Sequence, residues 1–109
     1  MTSAITRTPG KASPPGRFQQ LAAEWKLQSR HMSNTAQMAM LRPYQKIIGM
    51  GWDAVPLILE ELGREPNQWF WALEAITDEN PVPPEAAGKV GQMAQAWINW
   101  GRLNSLVSP

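Results

Sequence analysis

The sequence contains no cysteine, so neither disulfide bonds nor thiolate metal sites stabilise the fold, and no thiol acts as a nucleophile. There is a single histidine, His31, and any metal site around it would need carboxylates from distant positions, so we expect no metal. The longest apolar run, around residues 55–59, is far shorter than the roughly 20 residues of a membrane span. The first residues also lack the apolar segment of a secretory signal. We therefore expect a cytoplasmic protein with no membrane segment.

Sequence motifs of phosphate-binding and catalytic sites are also missing. The GMG at residues 49–51 lacks the following glycine, lysine and Ser/Thr of a phosphate-binding loop, so it indicates a turn. Glu60 and Glu61 are adjacent and would point about 100° apart on a helix, which excludes a catalytic pair and indicates a solvated face. We expect no enzymatic activity and no cofactor. A hydrolase-like enzyme whose distant side chains converge near His31 or near the acidic connector around residues 78–79 is the alternative.

Aromatic residues are what the sequence has in excess, with six tryptophans in 109 residues. Each can bury about 150–250 Å², and a chain of this length forms one core. Phe18, Leu21, Ala22 and Trp25 follow the spacing i, i+3, i+4, i+7, which gathers them on one face. This pattern predicts an amphipathic helix that begins near Arg17.

Proline, glycine and capping residues divide the middle of the chain into further helices. Ser33 is a candidate N-cap for a short second helix. Pro43 fits the first turn of a segment with only one or two helical turns, to Ile48, which Gly49 and Gly51 would end with a positive φ. Asp53 is a candidate N-cap for the following helix, which carries the apolar residues of segment 55–62.

The sequence pattern from Pro66 onward predicts two more helices, separated by a stiff connector. Pro66 opens a segment whose apolar face runs to about Thr77. Residues 78–84 (DENPVPP) contain three prolines and cannot form a regular helix. The final helix begins at Pro84 or shortly afterwards, and its firm part begins near Gln92 because glycines weaken its first turns.

These segments predict an all-α fold, because no run of alternating β-branched residues marks a strand. Residues 1–16 are rich in Ser, Thr, Pro and Gly and have no apolar face, which predicts a flexible, disordered N-terminal tail. Residues 17–109 are then a single helical domain. We expect a compact bundle of about four to five short helices, joined by short links that favour antiparallel neighbours.

The charge is unevenly distributed although the formal net charge is only +1. The first 50 residues carry seven bases and one acid, whereas the remainder carries three bases and eight acids. We expect the two halves to fold against each other, so that their fields largely cancel. The alternative is a basic surface that faces nucleic acid.

Two resemblances bear on the fold. The segment Ile47–Thr77 (IIGMGWDAVPLILEELGREPNQWFWALEAIT) resembles one HEAT-like repeat, which implies a central helical hairpin that packs on other helices and takes part in protein interaction. The region Phe18–Leu103, through its IIGMG, AVPLIL, WFWAL and AW-x-x-WG elements, also resembles a family of small uncharacterised bacterial helical proteins. That second resemblance implies a single domain of bacterial or phage origin and no mechanism.

The sequence predicts one of two binding functions. In the first, a protein-interaction module (an accessory, inhibitor or antitoxin-like subunit) binds a partner protein, possibly encoded nearby, through an exposed aromatic patch with an acidic rim. Trp69 and Trp71 lie two apart on a helix, so they face different directions and one of them is expected to be exposed. The residues expected at this surface are Trp52, Phe70, Trp71, Trp100, Asp78 and Glu79. In the second, basic residues of the first half contact the phosphates of a nucleic acid, and they are Arg17, Lys26, Arg30, Arg42 and Lys46.

Overall fold

The computed structural model describes residues 13–107, which form six α-helices and two 3₁₀ helices and contain no strand. The α-helices are α1 (Pro14–Ser29), α2 (Thr35–Ala39), α3 (Arg42–Gly49), α4 (Val55–Arg64), α5 (Phe70–Thr77) and α6 (Val90–Leu103). The 3₁₀ helices span Gly51–Ala54 and Pro84–Ala86. The all-α prediction is confirmed, with six α-helices where four to five were expected.

The first helix begins earlier than the sequence indicated. α1 starts at Pro14 rather than near Arg17, and the hydroxyl of Ser13 accepts a hydrogen bond from the backbone N–H of Gly16 at 3.4 Å. Proline is well suited to a first helical turn because its missing N–H would have no partner there. Residues 13–16 of the predicted tail therefore lead into or belong to α1, and residues 1–12 lie outside the described residues.

Two helix caps differ from those predicted. Asn34, not Ser33, caps α2, with its Oδ1 accepting from the N–H of Gln37 at 3.0 Å. Asp53 lies within the first 3₁₀ helix and does not cap α4, whose N-cap is Ala54 and has no side-chain cap bond. In both cases the helix boundary is shifted by one residue from the polar residue that the sequence favoured.

Helix ends that were predicted from glycine and proline residues also differ from those in the structure. Of the two glycines predicted to end the segment that begins at Pro43, Gly51 has the positive φ of 70°, while Gly49 stays inside α3. Pro66 does not open α5, which begins at Phe70. The last helix was predicted to begin at Pro84 or shortly afterwards, whereas Pro84–Ala86 form a separate 3₁₀ helix and α6 begins at Val90. Thr77 ends α5 as predicted.

An aromatic cluster forms the centre of the core. The indole of Trp69 lies 4.4 Å from that of Trp25, 5.6 Å from the ring of Phe18 and 5.8 Å from that of Tyr44, measured between ring centroids. All four side chains are fully buried. Aromatic pairs at such distances each contribute about 0.5–1.5 kcal/mol beyond the burial of apolar area. The cluster therefore joins α1, α3 and the residue that precedes α5.

Hydrogen bonds hold two of the polar groups of this cluster, those of Trp25 and Tyr44. The indole N–H of Trp25 donates to the carbonyl of Met38 at 2.9 Å. The hydroxyl of Tyr44 donates to the carbonyl of Gln68 at 3.0 Å and accepts from the N–H of Ala72 at 2.9 Å. Ala72 is the third residue of α5, so Tyr44 on α3 caps a helix that lacks a cap of its own. Burial raises the pKa of the Tyr44 phenol well above its ordinary value, so the hydroxyl keeps its proton.

The helices pack mainly on partners two positions away in the chain. α1 packs on α3, α3 packs on α5 and α4 packs on α6, whereas the consecutive helices α4 and α5 contact each other less. Gly101 of α6 is buried in the interface with α4, close to Leu59. None of the helices in residues 13–107 has the length and apolarity required to cross a membrane.

Candidate protein-interaction surfaces

The tryptophans fall into buried and exposed groups. Trp25, Trp69 and Trp97 are fully buried, whereas 53% of Trp52 and 51% of Trp71 is exposed. Trp100 is partly buried against the core. The expectation that one of Trp69 and Trp71 would be exposed is therefore confirmed. Two indoles are left in contact with solvent on the surface of a small domain.

The first surface is the outer face of α5. Trp71, Glu74, Ala75 and Asp78 follow the spacing i, i+3, i+4, i+7 and are all exposed, so they form one stripe along the helix, which we call the α5 stripe. A shallow groove of about 340 Å³ is lined by Trp71, Glu74 and Ala75. Glu74 was not among the predicted site residues, although its position three residues after Trp71 was visible in the sequence.

Asp78 ends α5 in the left-handed conformation, with φ 59°, and its N–H donates to the carbonyl of Glu74 at 2.9 Å. Its carboxylate is thereby held at the C-terminus of the helix, where the helix dipole is negative. The next residue, Glu79, is also exposed, and its N–H donates to Oγ1 of Thr77 at 3.1 Å. Both acids lie in the connector, as expected.

The second surface joins α6 to the first 3₁₀ helix, and we call it the Trp52–Trp100 patch. The ring centroid of Trp100 lies 6.5 Å from that of Trp52 and 5.2 Å from that of the buried Trp97. Beside Trp100 a groove of about 360 Å³ is lined by Pro81, Pro83, Ala96, Asn99, Trp100 and Leu103. Leu103 is 86% exposed, and sequence reasoning did not identify it or the two prolines. No aromatic pair among residues 13–107 connects Trp71 to this patch.

Phe70 does not belong to either surface. Only 3% of it is exposed, and it lies in the hydrophobic core. The prediction of Phe70 as a partner-binding residue is therefore wrong. The reason is that α3, α4 and the first 3₁₀ helix all contact α5, which widens its buried face to include Phe70, Ala72, Leu73 and Thr77.

Of the basic residues predicted to contact nucleic acid, four are exposed and one is held in ion pairs. Arg17, Arg30, Arg42 and Lys46 are exposed. Arg17 lies on α1 and Arg30 directly follows it, whereas Arg42 and Lys46 lie on α3, which packs against α1. Lys26 differs, because its Nζ donates to Glu61 and, at 2.9 Å, to Oε1 of Glu65. Lys26 is therefore part of an intramolecular ion-pair cluster and does not belong to a free basic surface.

Glu61 is the centre of this cluster, and the prediction that it lies on a solvated face is wrong. Its side chain is 5% exposed and also accepts from Nη2 of Arg64 at 2.6 Å. Burial acts to raise the pKa of Glu61, but the hydrogen bonds from Lys26 and Arg64 outweigh it and hold that pKa below its usual value. Burial acts to lower the pKa of Lys26, and Glu61 and Glu65 together raise it. The cluster thus carries full charges at neutral pH and connects α1 to α4.

His31 is exposed, in the turn that follows α1. Among residues 13–107, no group of three or more His, Asp or Glu side chains is arranged to hold a metal ion. Comparison with protein-family models, curated proteins and solved structures gives no match to this chain.

Proposed function

We propose that this protein is a cytoplasmic protein-interaction module, of the accessory, inhibitor or antitoxin-like kind, that binds a partner through its exposed indoles. The observation that supports the proposal is the half exposure of Trp52 and Trp71 in a domain that fully buries three other tryptophans. Tryptophan is enriched among the residues that contribute most to binding energy at protein interfaces. A large indole in water offers apolar area that a partner would cover.

The two surfaces offer different chemistry to a partner. The Trp52–Trp100 patch continues into a groove with prolines and Leu103, so it is mainly apolar. The α5 stripe combines Trp71 with the carboxylates of Glu74 and Asp78, which form an acidic rim. Each surface is tested by its own variant.

The test is quantitative capture of proteins from the native lysate by wild type, Trp52→Ala, Trp71→Ala and a control, Leu27→Ala. Leu27 is an exposed apolar residue on α1, at 65%, so its removal reports the effect of losing exposed apolar area elsewhere. We expect at least one protein to be lost with one tryptophan variant and retained with Leu27→Ala. Capture of the same proteins in the same amounts by all four would contradict the proposal. Circular dichroism of each variant checks that the fold is kept.

Nucleic-acid binding is the second candidate, and the exposure of four bases on, or directly after, two adjacent helices favours it. Contacts from Arg17, Arg30, Arg42 and Lys46 to phosphates would give affinity without sequence choice, and log K would fall with log salt with a slope of about −0.9 per contact on duplex DNA. Titration of labelled DNA and RNA at low and moderate salt tests this. An absence of binding at low salt would remove it.

A further inference from the structure

We propose that the α5 stripe binds an arginine side chain in a basic segment of a partner protein. This inference rests on the proposed function and names the chemistry of the partner at one of its two surfaces. The stripe brings together a half-exposed indole, a shallow groove and two carboxylates on one side of a single helix.

The stretch of sequence that contains the stripe carries charge of one sign. Between Arg64 and Lys89 the chain has five acids and no lysine, arginine or histidine. Glu65 is paired with Lys26, and the ion pairs among residues 13–107 involve no other acid of this stretch. Glu74 and Asp78 therefore keep carboxylates that are not neutralised by a base of the described fold.

The helix itself adds to this negative field. Carbonyl groups at the C-terminus of an α-helix carry a partial negative charge, and a base in the last turn commonly offsets it. α5 has no basic residue in its last turn, and Asp78 lies directly at its end. The complementary occupant is consequently a cation.

The indole of Trp71 favours arginine over other cations. A cation placed over the face of tryptophan is attracted by the ring quadrupole. The guanidinium of arginine is planar, so it stacks on an aromatic face while its edge donates hydrogen bonds to a carboxylate, whereas the lysine ammonium is a compact and more strongly hydrated charge. A cage for a quaternary ammonium group needs several aromatic walls, and of residues 13–107 Trp71 is the only aromatic one that lines this groove.

The test uses the whole protein and three acetylated, amidated peptides, Gly-Arg-Gly-Arg-Gly and its lysine and citrulline counterparts. Two-dimensional ¹H–¹⁵N NMR resolves indole N–H signals, and a Trp71→Phe variant assigns that of Trp71. We expect the arginine peptide to shift the Trp71 signal and leave the Trp52 signal in place, the lysine peptide to bind more weakly, and the neutral citrulline peptide to produce no shift.

Variants of the acids complete the experiment. We expect Glu74→Gln and Asp78→Asn each to weaken arginine-peptide binding about two- to fivefold, as the loss of one exposed ion pair does, whereas Glu85→Gln, an acid of the same stretch outside the stripe, leaves binding within error. Asparagine tolerates the left-handed conformation of position 78, so the helix end is kept. Equal shifts with all three peptides, or equal weakening by Glu85→Gln, would overturn the proposal.

Two further outcomes separate this inference from the proposed function. A Trp71 signal that moves with protein concentration alone would make a second copy of the chain the occupant and would overturn the assignment to a partner segment. Loss of a captured protein with Trp71→Ala, combined with no response to the arginine peptide, would leave the proposed function standing and refute only the arginine.

Discussion

Replacing Glu61 by glutamine tests whether the ion-pair cluster stabilises the packing of α1 and α4. The Glu61 carboxylate accepts hydrogen bonds from Lys26 on α1 and from Arg64 on α4, and only 5% of the side chain is exposed. Glutamine keeps the size of the side chain but carries no charge. Its NH₂ group cannot accept from a cation, so at least one of the two charge-assisted hydrogen bonds is lost.

The expected loss of stability depends on which interactions Lys26 and Arg64 keep after the substitution. A hydrogen bond to a charged group contributes about 1.5–3 kcal/mol. Lys26 is 33% exposed and keeps its bond to Glu65, and Arg64 is 57% exposed and regains water, so both cations recover part of the energy. We therefore expect the free energy of unfolding at pH 7 to fall by about 1–2 kcal/mol. With a urea dependence of about 2 kcal/mol/M, the midpoint moves by roughly 0.5–1 M.

The dependence on pH provides a second readout. Burial acts to raise the pKa of Glu61, but Lys26 and Arg64 outweigh it, so the pKa in the folded state lies below its usual value. In the unfolded chain a glutamate has a pKa of about 4.3. The charged carboxylate thus stabilises the fold above that value, and this contribution is lost as the pH falls through the folded-state pKa. The difference between wild type and Glu61→Gln should be constant near neutrality and smaller at about pH 3.

The assay is urea unfolding followed by far-ultraviolet circular dichroism at pH 7 and pH 3. Glu60→Gln is the matched control, because Glu60 precedes Glu61 in the same helix, is exposed and takes part in no ion pair within residues 13–107. The reasoning is refuted if Glu61→Gln is as stable as Glu60→Gln at pH 7. It is also refuted if the stability difference from wild type is unchanged at pH 3.

Three other substitutions test the packing. Tyr44→Phe removes the hydroxyl that accepts from the N–H of Ala72, and we expect this buried donor, left unpaired, to lower the free energy of unfolding by about 1–3 kcal/mol in urea titrations; unchanged stability would count against this role of the hydroxyl. A Cβ at Gly101 would lie 2.6 Å from Cδ1 of the buried Leu59, so Gly101→Ala is expected to cost about 1 kcal/mol despite the helix propensity of alanine. Gly91→Ala, in the same helix with nothing within 4 Å of the added Cβ, should instead stabilise by up to about 1 kcal/mol. A change of melting temperature in the same direction for both glycine variants would contradict this account.

Local sequence patterns predicted the buried face of individual helices. Phe18, Leu21, Ala22 and Trp25 are all buried on α1, as their spacing indicated. This succeeds because an amphipathic helix places residues three and four apart on one side, whatever it packs against. The exact start of α1 was missed because prolines 14 and 15 were interpreted as part of a tail, although proline fits a first helical turn.

Contacts between distant segments were not predictable in the same way. Glu60 and Glu61 are identical neighbours, and only the packing of α1 on the other helices brings Lys26, 35 residues away, to one of them. The same holds for Tyr44, whose hydroxyl caps a helix that begins 26 residues later in the chain. A cap or ion pair across such a separation has no local spacing by which to recognise it.

The α5 stripe shows most clearly which features follow from the sequence and which depend on tertiary packing. By itself the sequence determined that this chain is helical, that aromatic residues fill its core and that Trp69 and Trp71 face different ways, because helical periodicity is a local property. Only the tertiary structure decided that Trp69 is the buried one, that Phe70 joins the core and that Trp71 shares an exposed stripe with two carboxylates. Which side of a helix meets solvent depends on how many other helices cover it, and that is set by the packing of the whole chain.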